Sequence, residues 1–176
     1  MINYRKATAQ DINQVARINI VCWPQGSHAR WGIELTEKYY AAFFDEGGIF
    51  VIAEDQGRAV GYVMGHYKGS RAREKFALMR GQTFVPDEKY IRRQKIECQY
   101  DSVLLSLSVL PEYRERGIGK KLISLYLEKI DQHMPGCSCC LSTQMANLAA
   151  QHAYEACGFK KIKVEDGLVW YGYTRS

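Results

Sequence analysis

Alternation of apolar and polar positions over residues 2–7 predicts a strand at the start of the chain. Thr8 then stands as an N-cap with Asp11 three residues on, a short-armed capping box, and Ile12, Val15 and Ala16 open a helix that Pro24 ends. Thr36 reads as the cap of a second helix, with Tyr39, Tyr40, Phe43 and Phe44 on its inner side and Gly47-Gly48 at its end. Residues 49–54 and 59–66 are predicted strands separated by Asp55-Gln56-Gly57, a hairpin signal. Residues 102–110 are apolar at nearly every position, which predicts a strand buried on both faces. Pro111 ends it, and a helix follows over 117–133 with Ile118, Leu122, Ile123, Leu125, Leu127 and Ile130 as a wide apolar stripe. Beyond Pro135-Gly136 the pattern gives a strand over 137–143 and a short helix over 147–157 closed by Gly158. A last hairpin over 159–164 and 168–173 turns at Glu165-Asp166-Gly167.

Strands and helices interleave, with hairpins among them. The predicted fold class is therefore α/β with a mixed sheet, about seven strands and four or more helices on both faces, in a single domain over 1–176. Residues 68–100 break this regularity: they are polar and basic, with helical pattern only weakly at 71–79 and 87–95. A connection of that length inside a compact domain is functional or disordered.

Composition narrows the class further. The chain has 176 residues, 47% apolar and 24% charged, enough to bury a core without a disulfide or metal staple. No apolar run approaches the ~18 residues of a membrane span, and the N-terminus has no apolar signal core, so a cytoplasmic protein without membrane contact is expected. The net charge is +5, and residues 71–95 carry eight Lys/Arg against three Asp/Glu, a local excess equal to the whole surplus. This is a solvated basic face or an attractor of anionic ligands. Nucleic acid is not expected as a partner, because no helix-turn-helix, finger or basic-aromatic pattern accompanies the charge. The six cysteines read as reduced thiols. Cys137-x-x-Cys140 fits half a zinc knuckle that His133 and Cys157 could complete, but no second pair follows at a proper spacing. Residues 137–141 also read as a buried strand, so no metal is expected.

The chemistry concentrates between the strand at 102–110 and the helix that follows. Arg114-x-x-Gly117-x-Gly119 lets the chain turn tightly and turn backbone N–H groups onto a phosphate, where the helix N-terminus adds partial positive charge. Arg114, Arg116 and Lys120 supply formal charge at the same end. The Walker spacing is absent, and so is the third glycine of a dinucleotide fingerprint. Further on, Asn147, Ala150 and Tyr154 are spaced i, i+3 and i+7 and share one helix face. Small Ala150 and Ala153 would let a ligand approach closely. A tyrosine is protonated at pH 7 and can donate to a departing thiolate, although such a residue also serves simply to pack a helix on a sheet.

The order of strand, R-x-x-G-x-G, helix and strand, followed by Asn147 and Tyr154-Glu-Ala-Cys-Gly158-Phe159, resembles the GNAT superfamily of acetyl-CoA-dependent N-acetyltransferases. The likeness spans the chain in element order and is densest over 103–123 and 147–160. It implies a bulged strand whose backbone at Leu107, Ser108 and Val109 pairs with the pantetheine arm. It implies a pyrophosphate held by amides from Arg114 through Arg116, Gly117, Ile118 and Gly119 to Lys120. Asn147 would contact the cofactor arm, and Tyr154 would protonate the departing sulfur. Two departures stand out. Leu104, Leu105, Ser106 and Leu107 occupy the strand where many members carry a glutamate base, and Glu115 stands where members often have glycine. Proton removal is left to a water chain ending at Asp101, Glu97 or Glu54, to His66, or to an amine that arrives neutral.

The expected activity is direct transfer of acetyl from acetyl-CoA to a primary amine of a small molecule or protein within a ternary complex. The alternative is a silent CoA-binding module acting as sensor or scaffold. Acceptor specificity falls to residues 21–44 and 69–100, where Trp23, Trp31, Tyr39 and Tyr40 could line an aromatic pocket. Oligomeric state is unreadable, and a homodimer is left open.

Overall fold

The computed structural model describes residues 1–175, which build a seven-stranded sheet in the order β1-β2-β3-β4-β5-β7-β6. In chain order the strands are β1 (Asn3–Lys6), β2 (Ile49–Asp55), β3 (Arg58–Tyr67), β4 (Ser102–Val109), β5 (Ser138–Gln144), β6 (Lys160–Glu165) and β7 (Leu168–Thr174). The helices are α1 (Ile12–Cys22), α2 (Ser27–Asp45), α3 (Ala72–Met79), α4 (Glu88–Glu97), α5 (Ile118–His133) and α6 (Leu148–Ala156). All pairings are antiparallel except β4 with β5, so the mixed α/β sheet anticipated from the pattern is present. Among the described residues no helix is long and apolar enough to cross a membrane.

Local chemistry explains most boundaries. The β2–β3 and β6–β7 turns place Gln56 and Gly57, and Asp166 and Gly167, in the left-handed region, the geometry of two-residue hairpins that match strand twist. Asp87 caps α4 by accepting the Tyr90 N–H at 2.7 Å. The second helix differs from expectation. It begins at Ser27, kinks at Gly32 (φ 79°) and contains Thr36, whose hydroxyl donates to the Gly32 carbonyl at 2.8 Å. Thr36 is therefore a buried residue that bonds back across the kink, not an N-cap.

Side-chain alternation along β3 divides the core into two layers. Gly61 and Gly65 face α5, where a Cβ on Gly61 would meet Leu122 and one on Gly65 would collide with the Val103 carbonyl and the Tyr126 hydroxyl. Tyr62 and His66 face the opposite way, toward Asn19 of α1 and Phe43 of α2. Helices thus cover both faces, as predicted. The 68–100 connection adds α3 and α4, and Phe76 of α3 packs edge-on to Tyr39 at 5.3 Å. Cys139 and Cys140 lie buried in β5, where burial raises the Cys139 thiol to about 12 and holds it protonated.

Asp11 locks α1 against β1. Its carboxylate accepts both terminal nitrogens of Arg5 at 2.8 Å, the Thr8 N–H at 2.7 Å and the Thr8 hydroxyl at 2.9 Å, while the residue is only 3% exposed. The Arg5 bond outweighs desolvation and holds the carboxyl at about 2. A depressed carboxyl stabilises the fold above its unfolded value near 4 and loses that contribution as pH falls through the folded value. Acid unfolding is therefore expected to gain steepness between about pH 4 and pH 2, with a contribution of about 2 kcal/mol. Asp11→Asn should remove that part of the pH dependence in urea titrations at stepped pH. Gly65→Ala should lower stability by about 1–3 kcal/mol through overpacking, read from the urea midpoint at neutral pH.

Candidate functional site

The two central strands separate almost as soon as they meet. β4 and β5 pair only at Ser102 with Cys139 and at Val103 with Cys140. One residue later β4 carries a bulge: Gly65 faces Leu104 and Met64 faces Ser106, leaving Leu105 as the extra residue. Beyond Val103 the β5 side of β4 therefore has no partner strand, and Leu105, Ser106, Leu107 and Val109 are half-buried. This corrects the expectation of a strand buried on both faces, which holds only for its first half.

Two adjoining cavities, of about 460 and 310 Å³, fill the gap and share Trp23, Leu107, Gln144, Asn147 and Ala150. The first also takes in Ser108, Val109 and Arg114. The second reaches down β4 to Leu104 and Ser106, across to Thr143, and ends against Tyr154, Lys89 and Arg93. Trp23 lies between them, with its indole N–H donating to the Ser108 hydroxyl at 3.3 Å. A larger cavity of about 560 Å³ lies elsewhere, between α5, α6 and Tyr173, and shares none of these residues.

The glycine motif forms the turn into α5. Glu115 (φ 62°) and Gly117 (φ 76°) are both left-handed, so Glu115 holds a conformation that favours glycine, the residue the resemblance leads one to expect there. The first helical bond runs from Lys121 N–H to the Gly117 carbonyl, which leaves the Ile118, Gly119 and Lys120 amides directed out of the helix start. A Cβ on Gly119 would touch nothing within 4 Å. The formal charges spread more widely than the spacing implied. Arg114 Nε donates to the Val109 carbonyl at 3.1 Å, which also accepts the Cys22 thiol. Arg116 turns to the Glu112 carbonyl and the Tyr113 ring, and Lys120 lines the larger cavity.

Asn147 is the N-cap of α6, with Oδ1 accepting the Ala150 N–H at 3.2 Å, and lines both cavities. Seven residues on, Tyr154 is 6% exposed, with its ring against Phe159 and Tyr171. Its hydroxyl has no hydrogen-bond partner among the described residues, unlike those of Tyr40, Tyr62, Tyr126 and Tyr171. Burial pushes the Tyr154 phenol well above its ordinary value.

The carboxylates considered as bases lie outside the cavities. Asp101 accepts the Ser138 N–H and hydroxyl at 2.8 and 2.7 Å, Glu54 pairs with Arg5, and buried Glu97 pairs with Arg73 at 3.5 Å. His66 is buried beside Phe43 with Nδ1 bonded to the Tyr67 carbonyl, and desolvation lowers its pKa. Of the four aromatic residues proposed for a pocket, only Trp23 lines the cleft. Trp31, Tyr39 and Tyr40 pack around His28, whose burial depresses it to about 4. The sequence reading missed one feature: Ser106 bonds Tyr62 at 2.8 Å, and Tyr62 bonds Tyr40 and Asn19 at 2.9 Å. The available signal was the serine itself, a polar residue within an apolar strand.

Residues 12–159 match the acetyltransferase (GNAT) family. An N-alpha-acetyltransferase of Sulfurisphaera tokodaii is 25% identical over 160 residues, covering 91% of this chain and 81% of that protein. Among solved structures, SsHAT superposes with a TM-score of 0.72 at 22% identity, covering 98% of both chains. The PaiA N-acetyltransferase of Thermoplasma acidophilum, solved in complex with coenzyme A, superposes with a TM-score of 0.63 at 14% identity over 99% of both. These two likenesses establish the shared fold, whereas the match over 12–159 establishes descent: the chain belongs to the acetyltransferase (GNAT) family and is an acyltransferase enzyme.

Proposed function

We propose that the chain works as a single domain that transfers acetyl from acetyl-CoA to a primary amine by direct attack in a ternary complex. The observation that carries this reading is the Tyr154 hydroxyl, which has no hydrogen-bond partner among the described residues and belongs to a residue lining the cavity where β4 leaves β5. Acetyl-CoA supplies an activated thioester. The unpaired backbone edge at Leu107, Ser108 and Val109 suits an extended amide-bearing arm, which would add to β4 as a strand does. The amides from Arg116 to Lys120 at the start of α5 suit a pyrophosphate, with Arg114 charged beside them. Asn147 keeps its side-chain amide N–H groups for the arm while Oδ1 caps α6.

Tyr154 then acts as the acid. Burial raises its pKa, so it stays neutral and donates a hydrogen bond to the sulfur; as the C–S bond breaks its proton passes to the sulfur, and the proton shed by the acylated nitrogen restores the phenol. Among the described residues no carboxylate lines either cavity, so in this reading the amine reacts in its neutral form. The S. tokodaii relative's name supports the α-amine of a polypeptide as one acceptor class. The silent-module alternative gains from the missing strand carboxylate, but among the described residues no side chain fills the cavity that Tyr154 lines.

Incubation with acetyl-CoA and a panel of amines, with free thiol titrated, tests the reading. Amine-dependent thiol release is expected, and CoA binding without it would sink the transferase assignment in favour of the silent module. Tyr154→Phe should lower kcat by ~100-fold or more while leaving CoA affinity within about twofold. Full activity in the folded fraction would return Tyr154 to a packing role. Gly119→Ala should leave the melting temperature of the ligand-free protein almost unchanged, because its methyl meets no protein atom, yet weaken the acetyl-CoA-induced shift. An unaltered shift would remove the loop amides from the binding site.

A further inference from the structure

The acceptor end of the cleft has a charge that the chemistry of acetyl transfer does not require. Lys89 and Arg93 are one helical turn apart on α4, hence on one face, and both line the cavity that holds Leu105, Ser106 and Tyr154. Among the described residues no Asp or Glu lines that cavity, although both cations also border a small pocket that includes Glu165 and Asp166. Several basic residues of the same segment are compensated: Arg92 lies 3.2 Å from Asp166 and 3.6 Å from Glu88, Arg73 pairs with Glu97, and Lys75 pairs with Asp45. Among the described residues neither Lys89 nor Arg93 has an ion-pair partner within 4.0 Å. The Arg93 Nε is shielded from solvent without a hydrogen-bond acceptor. A buried donor left unpaired is costly, and a guanidinium fork matches a carboxylate in shape and charge.

The CoA phosphates are poor candidates for this charge. The loop amides and Arg114 lie at the other end of β4, and Arg114 lines the neighbouring cavity, which does not include Lys89 or Arg93. Resting on the transferase reading above, we propose that Lys89 and Arg93 form an anion subsite that selects acceptors carrying a carboxylate close to the reacting amine. The long connection between β3 and β4 thereby sets substrate class, with α4 presenting the two cations while Arg92 fastens the helix to the β6–β7 turn. Acidic side chains next to a peptide N-terminus and free amino acids share this chemistry.

Paired acceptors that differ only in charge test the proposal. One pair is Ser-Glu-Ala-Ala-amide and Ser-Gln-Ala-Ala-amide, and the other is β-alanine and β-alaninamide, so the two arms separate peptide from small-molecule acceptors. At least one pair is expected to show a kcat/KM preference of about tenfold or more for the acid, the scale of a charge-assisted hydrogen bond. The combined Lys89→Gln and Arg93→Gln substitutions should bring that ratio close to one, and Arg93→Lys with Lys89 intact should keep most of it. Equal use of acid and amide by the wild type, or a preference that survives loss of both cations, would overturn the subsite while leaving acetyl transfer intact. Absence of turnover with every amine would count against the transferase reading. Calorimetric binding of N-acetyl-β-alanine against its amide in the presence of CoA then decides the subsite independently. Preference for the acid, lost in the double variant, upholds it, and equal binding rejects it. If the double variant loses its CoA-induced melting shift and so reads as misfolded, the single Arg93→Gln and Arg93→Lys pair gives the same comparison.

Discussion

Two residue pairs of parallel ladder hold β4 to β5, and the cleft exists because the ladder stops there. Hydrogen bonding would ordinarily extend such a pairing, since each further backbone group otherwise has to find another partner. Here the extra residue Leu105 bends β4 away just after Val103, and the Tyr126 hydroxyl donates to the Val103 carbonyl from α5 at 3.0 Å. Gly65 makes that approach feasible, because any Cβ at that position would occupy the same space. The interruption is thus built from both sides of the sheet. Its product is an exposed strand edge inside a folded protein, with α6 and the start of α5 arranged around it.

Burial then differentiates side chains of the same type. Tyr40 and Tyr62 are fully buried and bonded to each other, with Ser106 of the cleft wall bonded to Tyr62. Tyr154 is nearly as buried, yet its hydroxyl has no hydrogen-bond partner among the described residues. In both settings desolvation raises the phenol, so all three remain neutral donors. What separates a structural tyrosine from a proposed acid here is the partner, not the pKa. The same contrast holds among cations, where Arg92 is compensated by carboxylates and its neighbour Arg93 is not.

The position of the 68–100 connection follows from what it packs on. Phe76 joins Trp31 and Tyr39 in a closed aromatic group, which anchors α3 to α2. α4 is held at its far side by the Arg92–Asp166 pair and spans the open half of the sheet. A segment whose sequence reads only as polar and basic is thereby placed at the Tyr154 end of the cleft. Its modest apolar content is enough because only a few of its residues, Ala72 and Phe76 among them, join the core, while α4 borders the cavity.

Much of this protein was legible in its sequence. Period-two and period-3.6 patterns located the strands and most helices, since burial of one face is a local requirement written into each segment. Asp-Gly and Gln-Gly marked the two hairpin turns, and the glycine motif with Asn147 and Tyr154 pointed to the family that the match over 12–159 establishes. Thr36 was misread because a hydroxyl bonding back across a kink at Gly32 carries the same local signature as a cap. The half-open state of β4 was hidden for a related reason: its sequence is apolar throughout, and only strand pairing decides whether an apolar edge is covered. Which aromatics close into a core around His28, which carboxylates are consumed by Arg5, Ser138 and Arg73, and which cation faces the cleft are all relations between distant residues. The sequence by itself determined the elements and the chemistry available. The tertiary structure alone decided which of those groups are left unpaired beside the gap between β4 and β5, because partnership is a property of contacts that the local pattern does not encode.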